Sequence, residues 1–340
     1  MNNMKAIGFT TSLPIMEEDS FVLFEKPVPV PAGRELLVKI AAVSVNPVDY
    51  KIRQNSLKDK VQDIPKVIGW DAVGIVEATG EGVTLFKKGD RVFYAGDITK
   101  DGTNQEYQLV DERIVGFAPE GISIAAAAAM PLTALTAYEL LFDRMRLSAE
   151  RDKGKSILII GGAGGVGSVA IQIAKKILGL TVIATASRES SVDWCKKMGA
   201  DHVVDHKDLL TNMKTIGFEQ VDFIIDLVDV NQYWEAFVQL IKPQGQIGSI
   251  SDPTQPVNLR QLKSKSVSFH WELMFTRAMF HTDDMIAQHH ILNTVAEWLK
   301  KGEILSTVNT VLNGFTVANV QEAHRQLESG TTIGKLVIRY

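Results

Sequence analysis

The chain has 340 residues, of which 45% are hydrophobic and 22% are charged, a globular composition that allows about two domains and excludes a largely disordered protein. Its 36 basic and 40 acidic side chains leave a net charge of −4, so we expect no binding to nucleic acid and none to a membrane surface. The single cysteine, Cys195, excludes an internal disulfide and any metal site with two thiolates, and it fits a reducing cytoplasm.

The first part of the chain predicts an antiparallel, barrel-like β domain. Short apolar runs at 36–40 and 73–76 are typical of strands, and turns rich in proline and glycine lie between such runs. The N-terminus has no apolar run long enough for a signal peptide, so none is expected. The most apolar segment, 122–141, contains Pro131 and Glu139 and therefore predicts a buried helix rather than a membrane span.

From about residue 125 onwards, apolar strands alternate with amphipathic helices. One helix places Val166, Ala170, Ile173 and Ile177 on a single face. This alternation predicts an α/β unit with a doubly wound parallel sheet. A further strand at 334–338 needs a sheet to pair with, which the N-terminal β domain can supply. The predicted strands of the parallel sheet are 157–160, 181–185, 202–204, 222–227, 245–250 and 267–271.

A glycine-rich loop follows the first strand of this sheet. Gly162, Gly164 and Gly167 fit the pattern G-x-G-x-x-G between an apolar strand and a helix, the context in which this pattern binds the pyrophosphate of a dinucleotide. We expect the first glycine to permit a tight turn, the second to let phosphates approach the backbone, and the third to let helix and strand pack closely. The N–H groups that open the helix, including those of Gly165 and Val166, are expected at the phosphates. The alternative is a flexible turn without a ligand.

The end of the second strand favours NADPH over NADH. NAD-preferring folds carry an acidic residue there, about 20 residues beyond the glycines, which binds the ribose 2′-hydroxyl. This chain has Ala186 and Ser187 at that point. Ser187 can donate a hydrogen bond, and Arg188 can pair with a 2′-phosphate. Two alternatives stay open: Glu189 takes the acidic role if the register differs by two residues, or Arg188 is a solvated loop charge.

Several motifs resemble those of one family. Residues 43–53 contain N-P-x-D-x-K-x-R, and further matches follow in the expected order at 68–74, 88–92, 132–138 and 334–337. The chain therefore resembles the zinc-independent medium-chain dehydrogenases/reductases. Within them it is similar to the quinone oxidoreductase-like proteins that are often labelled zinc-type alcohol dehydrogenase-like.

This resemblance implies a GroES-like β-barrel domain at 1–127, completed by 272–340. It also implies a Rossmann NADP-binding domain with a six-stranded parallel sheet at 128–271, and an active site in the cleft between the two domains. We further expect a homodimer, a small-molecule substrate, and no nucleic-acid or membrane partner.

The resemblance also concerns zinc. Zinc-dependent members hold the catalytic metal through a cysteine, a histidine followed by a glutamate, and a second cysteine. The matching positions here are Asn46, Trp70-Asp71 and Leu132, and 93–108 lacks the cysteines of the structural zinc lobe. An amide, an indole and an isobutyl group cannot build a zinc site. We therefore expect no zinc.

Without a metal, hydride transfer is easiest to an acceptor whose negative charge is delocalised, because the enzyme then supplies mainly proximity and orientation. We therefore predict an NADPH-dependent reductase of quinones or α,β-unsaturated carbonyl compounds. One alternative is an enoyl or alkenal reductase that acts on aliphatic enones. Another is an NADPH-binding sensor or partner protein with little turnover.

The segment that begins at Asn46 supplies the expected catalytic residues. The resemblance implies that Asn46 lies near the nicotinamide and the substrate oxygen, and Tyr50 and Lys51 are the candidate proton or hydrogen-bond donors. Tyr50 is equally compatible with a packed aromatic side chain. Asp49 and Arg53, four residues apart, are expected to brace this segment. By resemblance, the remaining ligand-contacting residues are Trp70 at the substrate pocket, and Thr136 and Lys335 at the cofactor.

Overall fold

A computed structural model describes residues 3–340, and its contacts divide the chain into two compact units. The first unit runs to Leu132 and also contains Phe275–Gly302 and Ser306–Tyr340, and the second contains Thr133–Met274 and Glu303–Leu305. The predicted boundaries, after 127 and after 271, lie five and three residues before the observed ones. The chain passes from the first unit to the second inside a helix. A change from strands to a flexible linker therefore does not mark this boundary in the sequence.

The strands of the described part of the chain are numbered in chain order. They are β1 (Asn3–Phe9), β2 (Val22–Pro27), β3 (Glu35–Ser44), β4 (Lys66–Val67), β5 (Ala72–Thr79), β6 (Arg91–Tyr94), β7 (Tyr107–Asp111), β8 (Val115–Phe117), β9 (Ser156–Ile160), β10 (Thr181–Thr185), β11 (His202–Val204), β12 (Val221–Asp226), β13 (Ile241–Ser249), β14 (Ser268–Trp271), β15 (Val308–Asn313) and β16 (Lys335–Arg339).

The α-helices of the same residues are numbered in the same way. They are α1 (Pro47–Asn55), α2 (Ile124–Ala128), α3 (Pro131–Tyr138), α4 (Ala149–Asp152), α5 (Gly165–Gln172), α6 (Glu189–Met198), α7 (Leu209–Thr215), α8 (Val230–Leu240), α9 (Thr276–Met279), α10 (Ala287–Lys301) and α11 (Val317–Glu328).

The first unit is built on antiparallel pairing around β3. Its larger sheet has the strand order β15-β16-β3-β5-β6-β8, with β7 also paired to β3, and its smaller sheet has the order β2-β1-β4. The pair β15–β16 is parallel. The predicted strands at 36–40 and 73–76 are confirmed within β3 and β5. The predicted C-terminal strand is confirmed as β16, which runs antiparallel to β3 and places Val337 opposite Ser44.

The second unit is built on a parallel sheet with the order β11-β10-β9-β12-β13-β14. All of its predicted strands are confirmed, and the largest difference is at β13, which starts at Ile241 rather than at 245. Residues 242–245 bulge out between the pairs Val221–Ile241 and Phe223–Gln246, and such a bulge interrupts the alternation that predicts a strand. The chain reverses its winding between β9 and β12, so the carboxyl ends of these strands mark the point where α/β sheets bind ligands.

The helix of the second unit that begins with α5 departs from the regular α-helix. It continues beyond Gln172 as a π-helical turn, Ile173–Ile177, where the sequence predicts a continuous α-helix.

The apolar segment 124–144 is long and apolar enough to cross a membrane by length and composition alone, but 78% of its most apolar window is buried inside the protein. The prediction of a buried helix in this region is therefore confirmed.

Candidate functional site

The glycine loop of the second unit turns at Gly161, one residue before the G-x-G-x-x-G pattern begins. Gly161 has φ 84°, a left-handed backbone conformation that side chains disfavour. Its N–H donates to Thr185 Oγ1 at 2.9 Å, and the N–H of Gly162 donates to the Thr185 carbonyl at 3.2 Å. The end of β10 therefore holds the loop. The N–H of Gly164 donates to the Gly161 carbonyl at 3.2 Å, so Gly162 lies within the tight turn, while the positive φ belongs to Gly161.

Gly162 and Gly167 are required by packing inside the protein. A Cβ atom on Gly162 would lie 2.7 Å from the Cβ of Ala184 and 3.1 Å from the Sγ of Cys195. A Cβ atom on Gly167 would lie 2.3 Å from the carbonyl oxygen of Gly161. The distances of 2.7 Å and 2.3 Å are too short for real atoms, so the loop, the helix and the strand approach each other only without these side chains.

Gly164 is different, because nothing in the protein requires a glycine there. A Cβ atom at this position would meet only the Gly161 carbonyl oxygen, at an ordinary 3.5 Å. Among the described residues, no acceptor is found for the backbone N–H groups of Gly165, Val166 and Gly167, the first three residues of α5. Open space beside unpaired N–H groups at a helix N-terminus fits an anionic pyrophosphate.

Beyond β10 and the buried Ala186, Ser187 and Arg188 are exposed. Arg188 is the residue before α6, where its backbone N–H donates to Ser191 Oγ at 3.1 Å. No carboxylate within residues 3–340 forms an ion pair with its guanidinium. Glu189 is already the first residue of α6. The exposed side chains between β10 and α6 are thus a hydroxyl and a guanidinium, which suit a phosphate better than a hydroxyl group.

Asn46 lies in the first unit and is 1% exposed. Its Nδ2 donates to Asp71 Oδ2 at 2.8 Å and to the Trp70 carbonyl at 3.0 Å, with the Ser44 carbonyl at 3.3 Å. Its Oδ1 accepts from Lys335 Nζ at 2.5 Å. Both hydrogens of the amide are therefore used inside the protein, and the orientation of the amide is determined by its neighbours.

Lys335 is 3% exposed and belongs to the same cluster. Its Nζ donates to Asn46 Oδ1 and to the Val45 carbonyl, the latter at 2.7 Å. The same nitrogen lies 3.2 Å from Asp71 Oδ2. An ammonium has three hydrogens, and three acceptors within the protein accommodate them. Burial lowers the pKa of Lys335 and raises the pKa of Asp71, while the attraction between the two charges opposes both shifts.

The residues at the positions of the zinc ligands are close together, as the resemblance implies. Asp71 Oδ1 accepts from the backbone N–H of Leu132 at 2.7 Å, and its Oδ2 accepts from Asn46. This donor set does not fit zinc, because it offers no thiolate or imidazole and both oxygens of the carboxylate already accept hydrogen bonds. The positive charge of Lys335 beside Asp71 further disfavours a second cation there.

Asp49 is also a buried member of this cluster. Its Oδ2 accepts from the Asn46 N–H at 2.9 Å, and its Oδ1 has no hydrogen-bond partner. Burial raises its pKa to about 7, opposed by the Asn46 hydrogen bond and by Lys335. The hydrogen bond from the Asn46 N–H caps the start of α1, so Asp49 braces the segment as expected. Arg53 pairs with Glu328 at 2.5 Å and not with Asp49.

The proposed proton donors lie in α1, immediately after this cluster. Tyr50 is half-buried, and burial followed by the nearby charge of Glu328 raises the pKa of its phenol. Lys51 is exposed. A phenol with a raised pKa stays protonated at neutral pH and can donate a hydrogen bond, although the same shift makes it a weaker proton donor.

The other predicted site residues are buried. Trp70 lies edge-on to Phe275, with 6.1 Å between ring centroids, and its Nε1 donates to the Asp97 carbonyl at 3.4 Å. Thr136 is buried in α3 of the second unit. The contacts of these two residues with substrate and cofactor stay predictions.

Known proteins resemble this chain over its whole length. The family descriptions "Alcohol dehydrogenase GroES-like domain" and "Zinc-binding dehydrogenase" match residues 32–137 and 198–338. A zinc-type alcohol dehydrogenase-like protein of Staphylococcus epidermidis is 47% identical, over 98% of this chain and 99% of that protein. The 2-methylene-furan-3-one reductase of Solanum lycopersicum is 30% identical, over 99% of this chain and 79% of that protein.

Solved structures agree with this resemblance. A Rhizobium etli protein assigned as a zinc-dependent alcohol dehydrogenase has a TM-score of 0.94 and 44% identity, covering 100% of this chain and 99% of that one. The Escherichia coli quinone oxidoreductase complexed with NADPH has a TM-score of 0.81 and 25% identity, covering 99% and 100%.

Proposed function

This chain belongs to the medium-chain dehydrogenase/reductase family, and we propose that it reduces quinones or α,β-unsaturated carbonyl compounds. We propose that NADPH is the reductant and that no zinc takes part. The NADPH complex of the Escherichia coli quinone oxidoreductase and the enone named in the Solanum relative support this choice.

The observation that carries the proposal is the cluster around Asn46. At the positions where zinc-dependent members bind metal, Asn46 and Asp71 are bonded to each other and to Lys335. No Lewis acid of comparable strength to zinc is expected from these groups, so oxidation of a simple alcohol would lack its usual means of deprotonation. A quinone or enone needs less help, because conjugation spreads the charge that develops on its oxygen.

The cofactor is proposed to bind at the glycine loop. The N–H groups of Gly165, Val166 and Gly167 would hold the pyrophosphate beside Gly164, and bound NADPH would supply the hydride. Further contacts are proposed from the predicted residues Gly162, Ser187, Arg188 and Thr136. For Lys335 we propose the indirect role that its buried contacts support: it holds Asn46 instead of touching the nucleotide.

The protein's own contribution to chemistry is proposed to be positioning and a proton. Asn46, locked by its neighbours, maintains the shape of the segment that leads into α1. Tyr50 or Lys51 donates a proton to the oxyanion or carbanion that hydride addition leaves on the acceptor, so charge and atoms balance. Asn46→Ala is expected to slow the reaction through lost orientation of this segment.

The test is consumption of NADPH by chelator-dialysed protein with different acceptors at equal concentration. We expect turnover with 9,10-phenanthrenequinone and with an aliphatic enone, and very slow reaction with acetaldehyde, or with ethanol in the reverse direction. Faster reaction of the simple aldehyde or alcohol contradicts the proposed chemistry, and so does stoichiometric zinc in elemental analysis. NADPH binding without turnover of any acceptor would favour the sensor alternative.

A homodimer is also proposed. Strand β14 is at the edge of the parallel sheet, and its last residue Trp271 is about half exposed, as is Leu273 beyond it. Unpaired sheet edges with apolar side chains are typical places of association. Sedimentation equilibrium distinguishes the dimer from a monomer.

A further inference from the structure

A hydrogen-bonded chain connects the glycine loop to α6, and the sequence motif does not contain it. The indole Nε1 of Trp194 donates to Ser168 Oγ at 2.8 Å. The hydroxyl of Ser168 in turn donates to the carbonyl oxygen of Gly164 at 2.6 Å. Ser168 is fully buried, so water does not compete for these bonds. We refer to Trp194, Ser168 and the Gly164 carbonyl as the loop bridge.

The loop bridge determines the direction of one of the unpaired N–H groups. The carbonyl of Gly164 and the N–H of Gly165 belong to the same planar peptide unit and point in opposite directions. The Gly164 carbonyl accepts from the Ser168 hydroxyl and also from the Ser168 backbone N–H at 2.9 Å. Holding this carbonyl therefore aims the Gly165 N–H away from it, towards the space that Gly164 leaves open.

The far end of the bridge lies on the helix that begins beside Arg188. Arg188 is the cap residue of α6, and Trp194 follows six residues later in the same helix. Six residues of α-helix span about 9 Å, and a helix of this kind moves as one piece. The group expected at the 2′-phosphate and the group that supports the phosphate loop are thus mechanically connected.

We propose that Trp194 is a positioning residue for NADPH, which couples recognition of the 2′-phosphate at Arg188 to the geometry of the phosphate loop. This inference rests on the proposed use of NADPH. Trp194 acts through Ser168 and need not touch the nucleotide. A phosphate bound at Arg188 restricts the movement of α6. The loop bridge transmits this restriction to the phosphate loop, which therefore binds the pyrophosphate with higher affinity.

The experiment measures the dissociation constants of NADPH and NADH by titration calorimetry. Trp194→Phe removes the indole N–H and keeps an aromatic ring. Ser168→Ala removes the same bond from its other side and also the bond from the Ser168 hydroxyl to the Gly164 carbonyl. The matched control is Trp234→Phe, since the Trp234 Nε1 donates to Gln261 Oε1 at a similar 2.7 Å in the same unit but outside the loop. Melting temperatures are recorded for every variant.

The bridge predicts that Trp194→Phe weakens NADPH binding by about fivefold, the loss of one hydrogen bond, and that Ser168→Ala weakens it at least as much. The double variant should bind no more weakly than Ser168→Ala alone, because that change already interrupts the whole chain. The Arg188→Ala change should cost less affinity for NADPH when Trp194 is already Phe, by about threefold, as expected of coupled residues. With NADH, Arg188→Ala should have no effect in either background.

The outcomes separate this inference from the proposed function. If the unmodified protein does not bind NADPH, the proposed function fails. If it binds NADPH but Trp194→Phe changes affinity no more than Trp234→Phe does, the positioning role is wrong. Strict additivity of Arg188→Ala and Trp194→Phe overturns the coupling. If the Trp194 variant does not fold, the same comparisons are made with Ser168→Ala, whose fold loses only one hydroxyl.

Discussion

The glycine loop and the cluster around Asn46 differ in whether their polar groups have hydrogen-bond partners inside the protein. At the loop, the first three N–H groups of α5 have no acceptor among residues 3–340. In the cluster, Asn46 Nδ2 and Lys335 Nζ make all of their hydrogen bonds within the protein. The loop is therefore prepared for an external anion, whereas the donors of these two cluster side chains are satisfied inside the protein. Substitutions in the loop should act on ligand binding, and substitutions in the cluster should act on stability and positioning.

The largest effect is expected in the cluster. Lys335→Met leaves the buried carboxylate of Asp71 without its counter-charge, so the free energy of unfolding should fall by about 3–5 kcal/mol. The double variant Lys335→Met with Asp71→Asn should recover part of this loss, because no unpaired charge then remains. Denaturant unfolding measures both. A single variant within about 1 kcal/mol of the unmodified protein would show that the pair is not buried as the structure has it.

The next effect separates two glycines of the same loop. Gly164→Ala should weaken NADPH binding about a hundredfold by interfering with two or more hydrogen bonds to phosphate, and the protein should fold normally because the new Cβ has room. Gly167→Ala is the contrast, since its Cβ would collide with the Gly161 carbonyl and should lower the melting temperature as well. Calorimetric titration and thermal melts are the measurements. Undiminished NADPH binding by Gly164→Ala would exclude the phosphate role.

A smaller effect is expected at Arg188, which tests whether the protein prefers NADPH or NADH. Arg188→Ala should remove most of a roughly tenfold to hundredfold preference for NADPH, the worth of one charge-assisted hydrogen bond, and leave NADH binding nearly unchanged. Glu189→Gln is the discriminating control: if Glu189 binds the ribose hydroxyl, it is the NADH affinity that falls. Equal affinity of the unmodified protein for both cofactors would refute the role given to Arg188.

The same two regions show what a sequence can and cannot predict. The glycine loop is local: strand, turn and helix follow each other within 157–172, so their pattern predicts the fold and the ligand. The cluster is assembled from distant segments, because Lys335 reaches Asn46 only through the register of β16 against β3. A terminal strand was predictable, but its register was not, and the register decides which side chains become buried together.

What the sequence missed within the loop has a related cause. The pattern G-x-G-x-x-G identifies glycines but not the reason for each, and it leaves out Gly161, which has the positive φ of the turn. The reason for each glycine lies in neighbours such as Ala184 and Cys195, whose distances depend on helix and strand packing. Asp49 was likewise paired with Arg53 by spacing, whereas the partner of Arg53 is Glu328, far along the chain.

The last prediction uses Asp49, the one cluster residue with an unpartnered oxygen. Its pKa is raised from 3.8 to about 7 by burial, so between these values the folded protein binds a proton that the unfolded chain releases. The contribution of this group to stability is therefore fully present at low pH and is lost as the pH rises towards 7, after which stability no longer changes through this group.

The variant Asp49→Asn cannot ionise and should not lose this contribution. Relative to the unmodified protein it should gain roughly 1–2 kcal/mol between pH 5 and pH 7, measured by denaturant unfolding across that range. Asp63→Asn, at an exposed position, is the control and should follow the unmodified protein at every pH. Parallel curves for Asp49→Asn and the unmodified protein would mean that Asp49 is ionised throughout this range and that the cluster carries one more buried negative charge than its surroundings favour.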